Sequence, residues 1–300
     1  MKIFVTGGSG FIALPLVNHL LEAGNEVTVL DLREPSTNHK SLAFVKKSVL
    51  DDFSREIKGH DRVYHFAAML GVDNSDNRPL ETMRVNLEGS VNVFKQAINA
   101  GIKDMVYASS SEVYGEPREL PIREDSVKGP VSTYGVSKLA SEIYAKAFNK
   151  EFNTNIRIVR FFNVYGPGQS QNFVVPIYIK NALENKPITV FGDGKQTRCF
   201  TYVGDVVHGV ECVTSKGARG EVYNIGNNQP TTILELAKIV KEITKSKSEI
   251  IVAGYGKSTR LREREIEYRV PDISKIKSIG WWPKVMIREG IKKILESQNN

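Results

Sequence analysis

Short apolar runs alternate with segments of helical periodicity along most of the chain. Six runs rich in β-branched and aromatic residues are typical of buried strands, and they cover 2–6, 26–30, 43–46, 62–66, 104–108 and 156–160. Between them, apolar residues recur every three or four positions, most clearly over 79–99 and 133–149. This alternation predicts an α/β fold with a doubly wound parallel sheet, in which ligands bind at the carboxyl ends of the strands.

The first predicted strand leads into a glycine-rich turn, Gly7-Gly8-Ser9-Gly10-Phe11-Ile12-Ala13, and then into a predicted helix. Glycines at positions 7 and 10 let the backbone turn tightly and approach a pyrophosphate. The N–H groups and the positive dipole end of the helix favour the charge of that group. Ala13 stands where a third glycine would allow close packing of helix and strand, which is a tolerated replacement. The segment predicts a dinucleotide-binding unit.

The second predicted strand is followed by Asp31, at about the distance from the turn where an acid binds both ribose hydroxyls of a dinucleotide. Its carboxylate would repel a 2′-phosphate, so the sequence favours NAD over NADP. Arg33 lies two residues further on and leaves NADP open as the alternative.

Three later predicted strands end in residues suited to a cofactor or a substrate. One ends in His65-Phe66-Ala67-Ala68, where small residues let a flat ring lie close. The next ends in Ser109-Ser110-Ser111-Glu112-Val113-Tyr114-Gly115, which offers hydroxyls and a carboxylate, and the last in Phe161-Phe162-Asn163-Val164-Tyr165-Gly166-Pro167-Gly168. Because parallel strands end at one edge of the sheet, we expect these segments to line one crevice.

Tyr134 and Lys138 are four residues apart in the helix predicted over 133–149, for which Ser132 or Thr133 is a natural N-cap. This spacing puts the hydroxyl and the ammonium on one face, about one turn apart. A positive charge within about 4 to 6 Å favours the phenolate, so Tyr134 is a candidate base well below its solution pKa of about 10. The pair predicts a site for proton transfer in which Tyr134 is the base.

Composition narrows the class of protein. The chain has 300 residues, 41% of them hydrophobic, which is enough for a large core. Neither a signal peptide nor an apolar run of about 18 residues is visible, so we expect no membrane span and a cytoplasmic location. Cys199 and Cys212 form no C-x-x-C pair and the five histidines are scattered, so neither a disulfide framework nor a metal site is predicted.

The formal net charge of +7 has two interpretations. Excess Lys and Arg would attract a nucleotide or a sugar diphosphate into a cleft, or would simply form a solvated basic surface. The sequence has no basic stripe with interleaved aromatic residues, so nucleic acid is not an expected partner.

Taken in this order, the motifs resemble the extended short-chain dehydrogenase/reductase family, and within it the nucleotide-sugar epimerases and dehydratases of the UDP-glucose 4-epimerase type. The resemblance runs nearly end to end. It also rests on Phe191-Gly192-Asp193-Gly194 with Gln196-Thr197-Arg198, and on Gly280-Trp281-Trp282-Pro283-Lys284. It implies a Rossmann-type NAD domain over 1–165, to which segments near 200–230 return, and a smaller C-terminal α/β domain over 166–300 for the nucleotide sugar.

The resemblance implies that Tyr134 takes the proton from the sugar 4-hydroxyl while a hydride passes from C4 to NAD. Lys138 would lower the pKa of the tyrosine and hold the nicotinamide ribose, and Ser110 would hydrogen-bond the 4-oxygen. The implied cofactor contacts are Gly7, Gly10, Phe11, Ile12, Asp31, Arg33, Phe66, Ala67, Ala68, Tyr134 and Lys138. The implied substrate contacts are Ser111, Asn163, Asn172, Phe191, Arg198 and Arg262.

Some positions depart from the family pattern. Ser48 stands where many relatives have an acid near the adenine. Arg262 lies in a charged stretch, where a solvated surface role is the usual one. Residues 69–77 differ from the usual lining of the sugar pocket, so the sequence leaves the sugar open.

The residues beside Ser110 bear on the reaction. A 4,6-dehydratase needs an acid and a base beyond Tyr134, and the glucose-type enzymes of the family use adjacent Asp and Glu. Here the pair is Ser111 and Glu112. The sequence therefore favours a 4-epimerase acting through a transient 4-keto sugar, with Glu112 as a further catalytic candidate. A 4,6-dehydratase, a uronic acid decarboxylase and other 4-keto chemistry, such as 4-dehydrogenation, stay open.

Two further expectations concern assembly and class. The resemblance suggests a homodimer that packs 79–99 and 133–149 into a four-helix bundle. A non-catalytic NAD-binding regulator is the remote alternative, because fold does not imply function. The set of Ser110, Tyr134 and Lys138 argues for an enzyme.

Overall fold

Seven apolar segments pair in parallel to form the main sheet. They are β1 (Lys2–Thr6), β2 (Glu26–Asp31), β3 (Leu42–Lys46), β4 (Arg62–His65), β5 (Asp104–Ser110), β6 (Asn155–Phe161) and β11 (Val222–Ile225). Their spatial order is β11-β6-β5-β4-β1-β2-β3. The predicted doubly wound parallel sheet is confirmed in the computed structural model, which describes residues 1–70, 77–254 and 266–298.

The strand order reverses between β1 and β4. The chain runs outward from β1 to β3 and then crosses back to β4, so the connections leaving β1 and β4 diverge to opposite sides. A crevice opens at such a point at the carboxyl ends of the strands. The motifs described above follow these strand ends.

Helices cover both faces of this sheet. They are α1 (Ala13–Glu22), α2 (Ser54–Ile57), α3 (Pro79–Met83), α4 (Gly89–Asn99), α5 (Thr133–Glu151) and α7 (Val203–Lys216). Alternate strand residues enter two cores: Val5 packs with α1 and α7, whereas Phe4 packs with α4 and α5. Both faces are therefore buried, which explains the continuous apolar runs of the strands. Ser132 caps α5, as predicted, by accepting a hydrogen bond from the Gly135 nitrogen at 3.0 Å.

The helix predicted over 79–99 is interrupted by a π-helical turn, Arg84–Glu88. This turn holds the buried Asn86, whose side chain binds both the backbone nitrogen of Met69 at 2.7 Å and its carbonyl oxygen at 3.1 Å. Asn86 Nδ2 also donates to Ser137 Oγ at 3.1 Å. The π turn thus joins the segment after β4 to α5, and π turns of this kind are frequent at functional sites.

A smaller layer forms around a third core. It contains α6 (Val174–Leu183), α8 (Ile233–Thr244), α10 (Ile287–Ser297) and the parallel pair of β8 (Ile188–Phe191) and β13 (Ile250–Ala253). The remaining elements are β7 (Val164–Tyr165), β9 (Thr197–Arg198), β10 (Thr201–Tyr202), β12 (Thr231–Thr232), β14 (Tyr268–Arg269) and α9 (Ser274–Ser278). The exact domain division stays a prediction. Within the described ranges, no helix combines the length and apolarity needed to cross a bilayer.

Arg160 on β6 and Glu142 on α5 form a fully buried ion pair beneath the strand ends. Arg160 Nε donates to Glu142 Oε1 at 2.9 Å, and Nη2 donates to Oε2 at 2.6 Å. The third guanidinium nitrogen donates to the Tyr114 hydroxyl at 2.7 Å and to the Glu124 carbonyl at 2.9 Å. Ser109 Oγ donates to Glu142 Oε1 at 2.5 Å. Every charged atom therefore has a partner, as buried charges require.

Removing only one member of this pair should be strongly destabilising. We expect Arg160→Met to lower the free energy of unfolding by about 3 to 5 kcal/mol, because Glu142 is left buried and uncompensated. The double variant Arg160→Met with Glu142→Leu should lose less than the sum of the single changes. Urea unfolding measures both.

An exposed ion pair supplies the control. Arg288 and Glu242 form a bidentate pair on the surface, with nitrogen–oxygen distances of 2.9 and 2.7 Å. Arg288→Met should change stability little. An equally small effect for Arg160→Met would contradict the structural role of the buried pair.

Candidate active site

The turn after β1 presses the glycine segment against the end of β4. Gly7 has a φ of 71°, and a Cβ there would lie 2.5 Å from the Ala67 nitrogen, so no other residue fits without a shift. The Gly10 nitrogen donates to the Gly7 carbonyl at 3.0 Å, and the Leu14 nitrogen donates to the Gly10 carbonyl at 2.9 Å. These bonds carry the turn directly into α1.

The start of α1 suits an anion. Among the described residues no side chain caps it, and its first turn contains no acid. The positive dipole end of the helix therefore favours a negative charge at this point. Phe11 and Ile12 are half-buried at this point. The cradle at Gly7 and this helix start fit the pyrophosphate of a dinucleotide.

Asp31 ends β2 beside the glycine turn. Its Oδ2 accepts a hydrogen bond from the Ser9 nitrogen at 3.1 Å, and its Oδ1 accepts one from the Arg33 nitrogen at 3.1 Å. Ser9 Oγ donates to the Arg33 carbonyl at 2.5 Å. Asp31 thus lies at the rim of the predicted cofactor crevice, and the backbone of Arg33 is tied to the same turn.

The end of β4 forms the opposite wall. Residues 66–68 are half-buried, and the Phe66 nitrogen donates to the Thr6 carbonyl at 3.0 Å. The buried His65 ring has one nitrogen 2.7 Å from Thr6 Oγ1 and the other 2.8 Å from Ser90 Oγ. Burial lowers the pKa of His65 to about 3, so the ring is neutral. Its two hydrogen bonds link β4 to β1 and to α4.

Ser110, Tyr134 and Lys138 meet where β5 ends and α5 begins. The Ser110 hydroxyl lies close enough to the Tyr134 phenol to act to lower its pKa. Lys138 Nζ donates to the Ala108 carbonyl at 2.7 Å and lies 5.8 Å from the centroid of the Tyr134 ring. A hydroxyl, a phenol and an amine therefore share one corner of the crevice.

Burial shifts the pKa of both ionisable groups towards the neutral form. The pKa of Tyr134 is raised, first by loss of hydration and then by the Glu112 carboxylate. Burial lowers the pKa of Lys138 to about 7, although the Glu142 carboxylate favours the ammonium. The sequence predicted a lowered Tyr134 pKa. The direction here is the opposite, because burial and the Glu112 carboxylate both disfavour the phenolate.

Glu112 is engaged by a residue from far along the chain. It lies in the 3₁₀ turn Ser111–Val113, and its Oε1 accepts a hydrogen bond from Arg269 Nη1 at 2.7 Å. Arg269 is buried, and its Nε has no hydrogen-bond partner among the described residues. In the β14–β9 pair, Arg269 lies opposite Arg198. Sequence reasoning missed Arg269, because nothing in its local sequence links it to a residue 157 positions away.

The predicted substrate contacts occupy different environments. Ser111 is buried, whereas Phe191 and Arg198 are half-buried on β8 and β9. Asn163 has a φ of 37°, and its buried Oδ1 has no partner within the described ranges. Asn172 is exposed just before α6, and Arg262 lies outside the described residues. Their roles stay predictions.

Lys138 should make folding depend on pH. Its pKa of about 7 in the folded chain lies below the unfolded value of about 10.4, so folding releases a proton between these limits. The resulting penalty is full below pH 7 and disappears as the pH rises towards about 10. Relative to the wild type, Lys138→Met should therefore be most stable below pH 7, with the difference shrinking as the pH rises. Urea unfolding at about pH 6, 8 and 10 measures it.

Lys146, exposed on the same helix, is the matched control. Lys146→Met should keep a nearly constant stability difference over the same pH range. A constant difference for Lys138→Met as well would contradict the buried, weakly protonated lysine.

Known proteins of three activities are similar to this chain. The dTDP-D-glucose 4,6-dehydratase of Mus musculus is 34% identical over 312 residues, covering 98% of this chain and 88% of that protein. The UDP-N-acetyl-α-D-glucosaminuronate decarboxylase of Bacillus cytotoxicus is 33% identical over 313 residues, covering 98% and 97%. The crystal structure of Thermotoga maritima UDP-glucose 4-epimerase with UDP-glucose superposes with a TM-score of 0.91 at 31% identity, covering 100% and 99%.

The family model described as the NAD dependent epimerase/dehydratase family matches residues 3–226. Solved neighbours include enzymes in complex with NAD, in agreement with the pyrophosphate cradle at Gly7 and the start of α1. The chain therefore belongs to the NAD-dependent epimerase/dehydratase family within the extended short-chain dehydrogenases/reductases, and its cofactor is NAD.

Proposed function

We propose that this protein is a nucleotide-sugar 4-epimerase that acts through a transient 4-keto sugar. The observation that carries the proposal is the contact of Ser110 with Tyr134 beside the buried Lys138. Tyr134 takes the proton of the sugar 4-hydroxyl, and Ser110 holds the same oxygen. The chemistry that bound NAD would supply is reversible hydride transfer at C4. The keto sugar rotates before the hydride returns, so no further acid or base is needed.

Glu112 supports this reaction over 4,6-dehydration. A dehydratase must remove the C5 proton and protonate the departing C6 hydroxyl, which calls for two more proton-transfer groups. Position 111 offers a buried serine, and the Glu112 carboxylate is held by Arg269 at 2.7 Å. Glu112 then acts as a wall of the sugar pocket and as a negative charge next to Tyr134.

Arg269 favours one second candidate, a uronic acid decarboxylase. Oxidation at C4 of a uronic acid sugar makes the C6 carboxylate β to a ketone, so carbon dioxide is lost without a base at C5. Arg269 is a buried cation with a free Nε among the described residues, and it lies next to Glu112. An arginine so placed would bind the carboxylate of such a substrate. The similar protein of Bacillus cytotoxicus carries a decarboxylase name.

Product analysis distinguishes the candidates. Purified protein with NAD is incubated separately with UDP-glucose, UDP-N-acetylglucosamine, UDP-glucuronate and GDP-mannose, and the products are identified by NMR. We expect the 4-epimer of one of these sugars. Tyr134→Phe should reduce the rate by about 10²- to 10⁴-fold, the usual size of a general-base contribution, while NAD binding persists.

Tyr144→Phe is the control for this variant, because Tyr144 is exposed on the same helix. It should keep wild-type turnover. A 4-keto-6-deoxy product or released carbon dioxide would overturn the epimerase assignment. If Tyr134→Phe left all cellular activity of the protein unchanged, a non-catalytic NAD-binding regulator would be favoured instead.

We also propose that the protein is a homodimer that packs residues 79–99, which include α3 and α4, and residues 133–149 of α5 into a four-helix bundle. Ile143 on α5 is 61% exposed and Leu80 on α3 is 86% exposed, although both are large and apolar. Val136 extends this exposed apolar surface along α5. Covering it with a second copy would remove these side chains from water. The cytoplasmic location stays a prediction from the sequence.

Light scattering after size exclusion tests the dimer. The wild type should have twice the chain mass of 33.5 kDa. Ile143→Asp should shift the mass to that of one chain, because a charge would be buried in the interface. A wild-type mass equal to one chain would contradict the dimer.

A further inference from the structure

Two helices on one face of the main sheet bring two histidines and a glutamate together. His19 lies in the last turn of α1, and His208 and Glu211 lie one turn apart on α7. The helices are held by core contacts that include Leu16, Val17, Val206 and Val210. His19 and Glu211 are 192 positions apart, so no local sequence pattern links them.

Both histidine rings have a nitrogen close to the same carboxylate oxygen of Glu211. His19 Nε2 lies 2.9 Å from Glu211 Oε2, and His208 Nδ1 lies 3.9 Å from the same oxygen. The two imidazole rings approach edge to face, with centroids 5.5 Å apart. All three ligand atoms lie within 4.8 Å of one another, and no other group of three such side chains in the described ranges does so.

These separations are close to those of a metal site. Donors about 2.1 Å from a zinc ion lie about 3.4 Å apart at the tetrahedral angle. The two distances to Glu211 Oε2 fall on either side of this value. The side chains of His208 and Glu211 are 60% and 52% exposed, so small rotations can bring the third separation into range.

We propose that His19, His208 and Glu211 bind a divalent late first-row transition ion of the Zn²⁺ type. Imidazole nitrogens suit Zn²⁺, Co²⁺ and Ni²⁺, whereas Ca²⁺ and Mg²⁺ prefer sites built from oxygen alone. Three protein ligands leave the fourth position to water. The ion ties the last turn of α1 to α7, so it is a structural link between two parts of the chain that are remote in sequence. It lies outside the set of Ser110, Tyr134 and Lys138.

Metal titration of the full-length, tag-free chain tests this site. After treatment with a chelator, Zn²⁺ is titrated by calorimetry, and Co²⁺ is titrated in parallel to record its visible absorption. We expect one ion per chain and a higher Tm with Zn²⁺. His208→Asn and Glu211→Gln should each weaken Zn²⁺ binding at least about tenfold, the loss that even an outer-shell partner causes.

His39→Asn is the control, because His39 lies outside the cluster and its Nδ1 accepts a hydrogen bond from the Ser41 nitrogen. It should bind Zn²⁺ as the wild type does. Three results would overturn the proposal: no Zn²⁺ binding at about 100 μM, equal binding by His208→Asn and the wild type, or equally tight binding of Mg²⁺. Turnover should be unchanged in these variants, which separates this test from that of the 4-epimerase.

Discussion

Arg160 is a buried cation, and the geometry of the candidate active site depends on its ion pair with Glu142. Its partner Glu142 lies one turn after Lys138 on α5, and Ser109, which also binds Glu142, directly precedes Ser110 on β5. Arg160 itself lies opposite Ser109 in the β5–β6 register. One ion pair therefore sets the position of the helix that bears Tyr134 relative to the strand that bears Ser110.

The same interaction extends to the far edge of the sheet. Arg160 binds the Tyr114 hydroxyl, which donates to Asn224 Oδ1 on β11 at 2.7 Å. Asn224 in turn donates to the Ile122 carbonyl at 3.1 Å. The loop that follows Ser110 is thus tied to β11 by these hydrogen bonds. Replacing the whole pair by apolar residues would change stability little, whereas removing one member leaves the other charge buried and uncompensated.

Local sequence patterns predicted the sheet and much of the crevice because they report local physics. The apolar runs predicted six of the seven parallel strands, and the glycine pattern predicted the tight turn at Gly7, where a Cβ would collide with the Ala67 backbone. The π turn at 84–88 could not be predicted from the sequence, because it depends on the hydrogen bond between the Met69 nitrogen and the Asn86 side chain. A readable signal was overlooked at Thr232 and Glu235, whose capping box starts α8. The contacts of Arg269 and the cluster at His19 could be identified only in the folded structure, because their partners are remote in sequence.

The contact between Glu112 and Arg269 has a consequence for how such proteins diverge. One residue belongs to the loop after β5 and the other to β14, beyond the segment that contributes β11 to the main sheet. Exchanging the C-terminal third with that of a relative would break the pair unless both positions matched. A substitution at position 112 or 269 therefore removes this ion pair unless a compatible residue stands at the other position. If a relative with a different reaction has a different charge at one of these positions, the residue at the other position determines whether that change is tolerated.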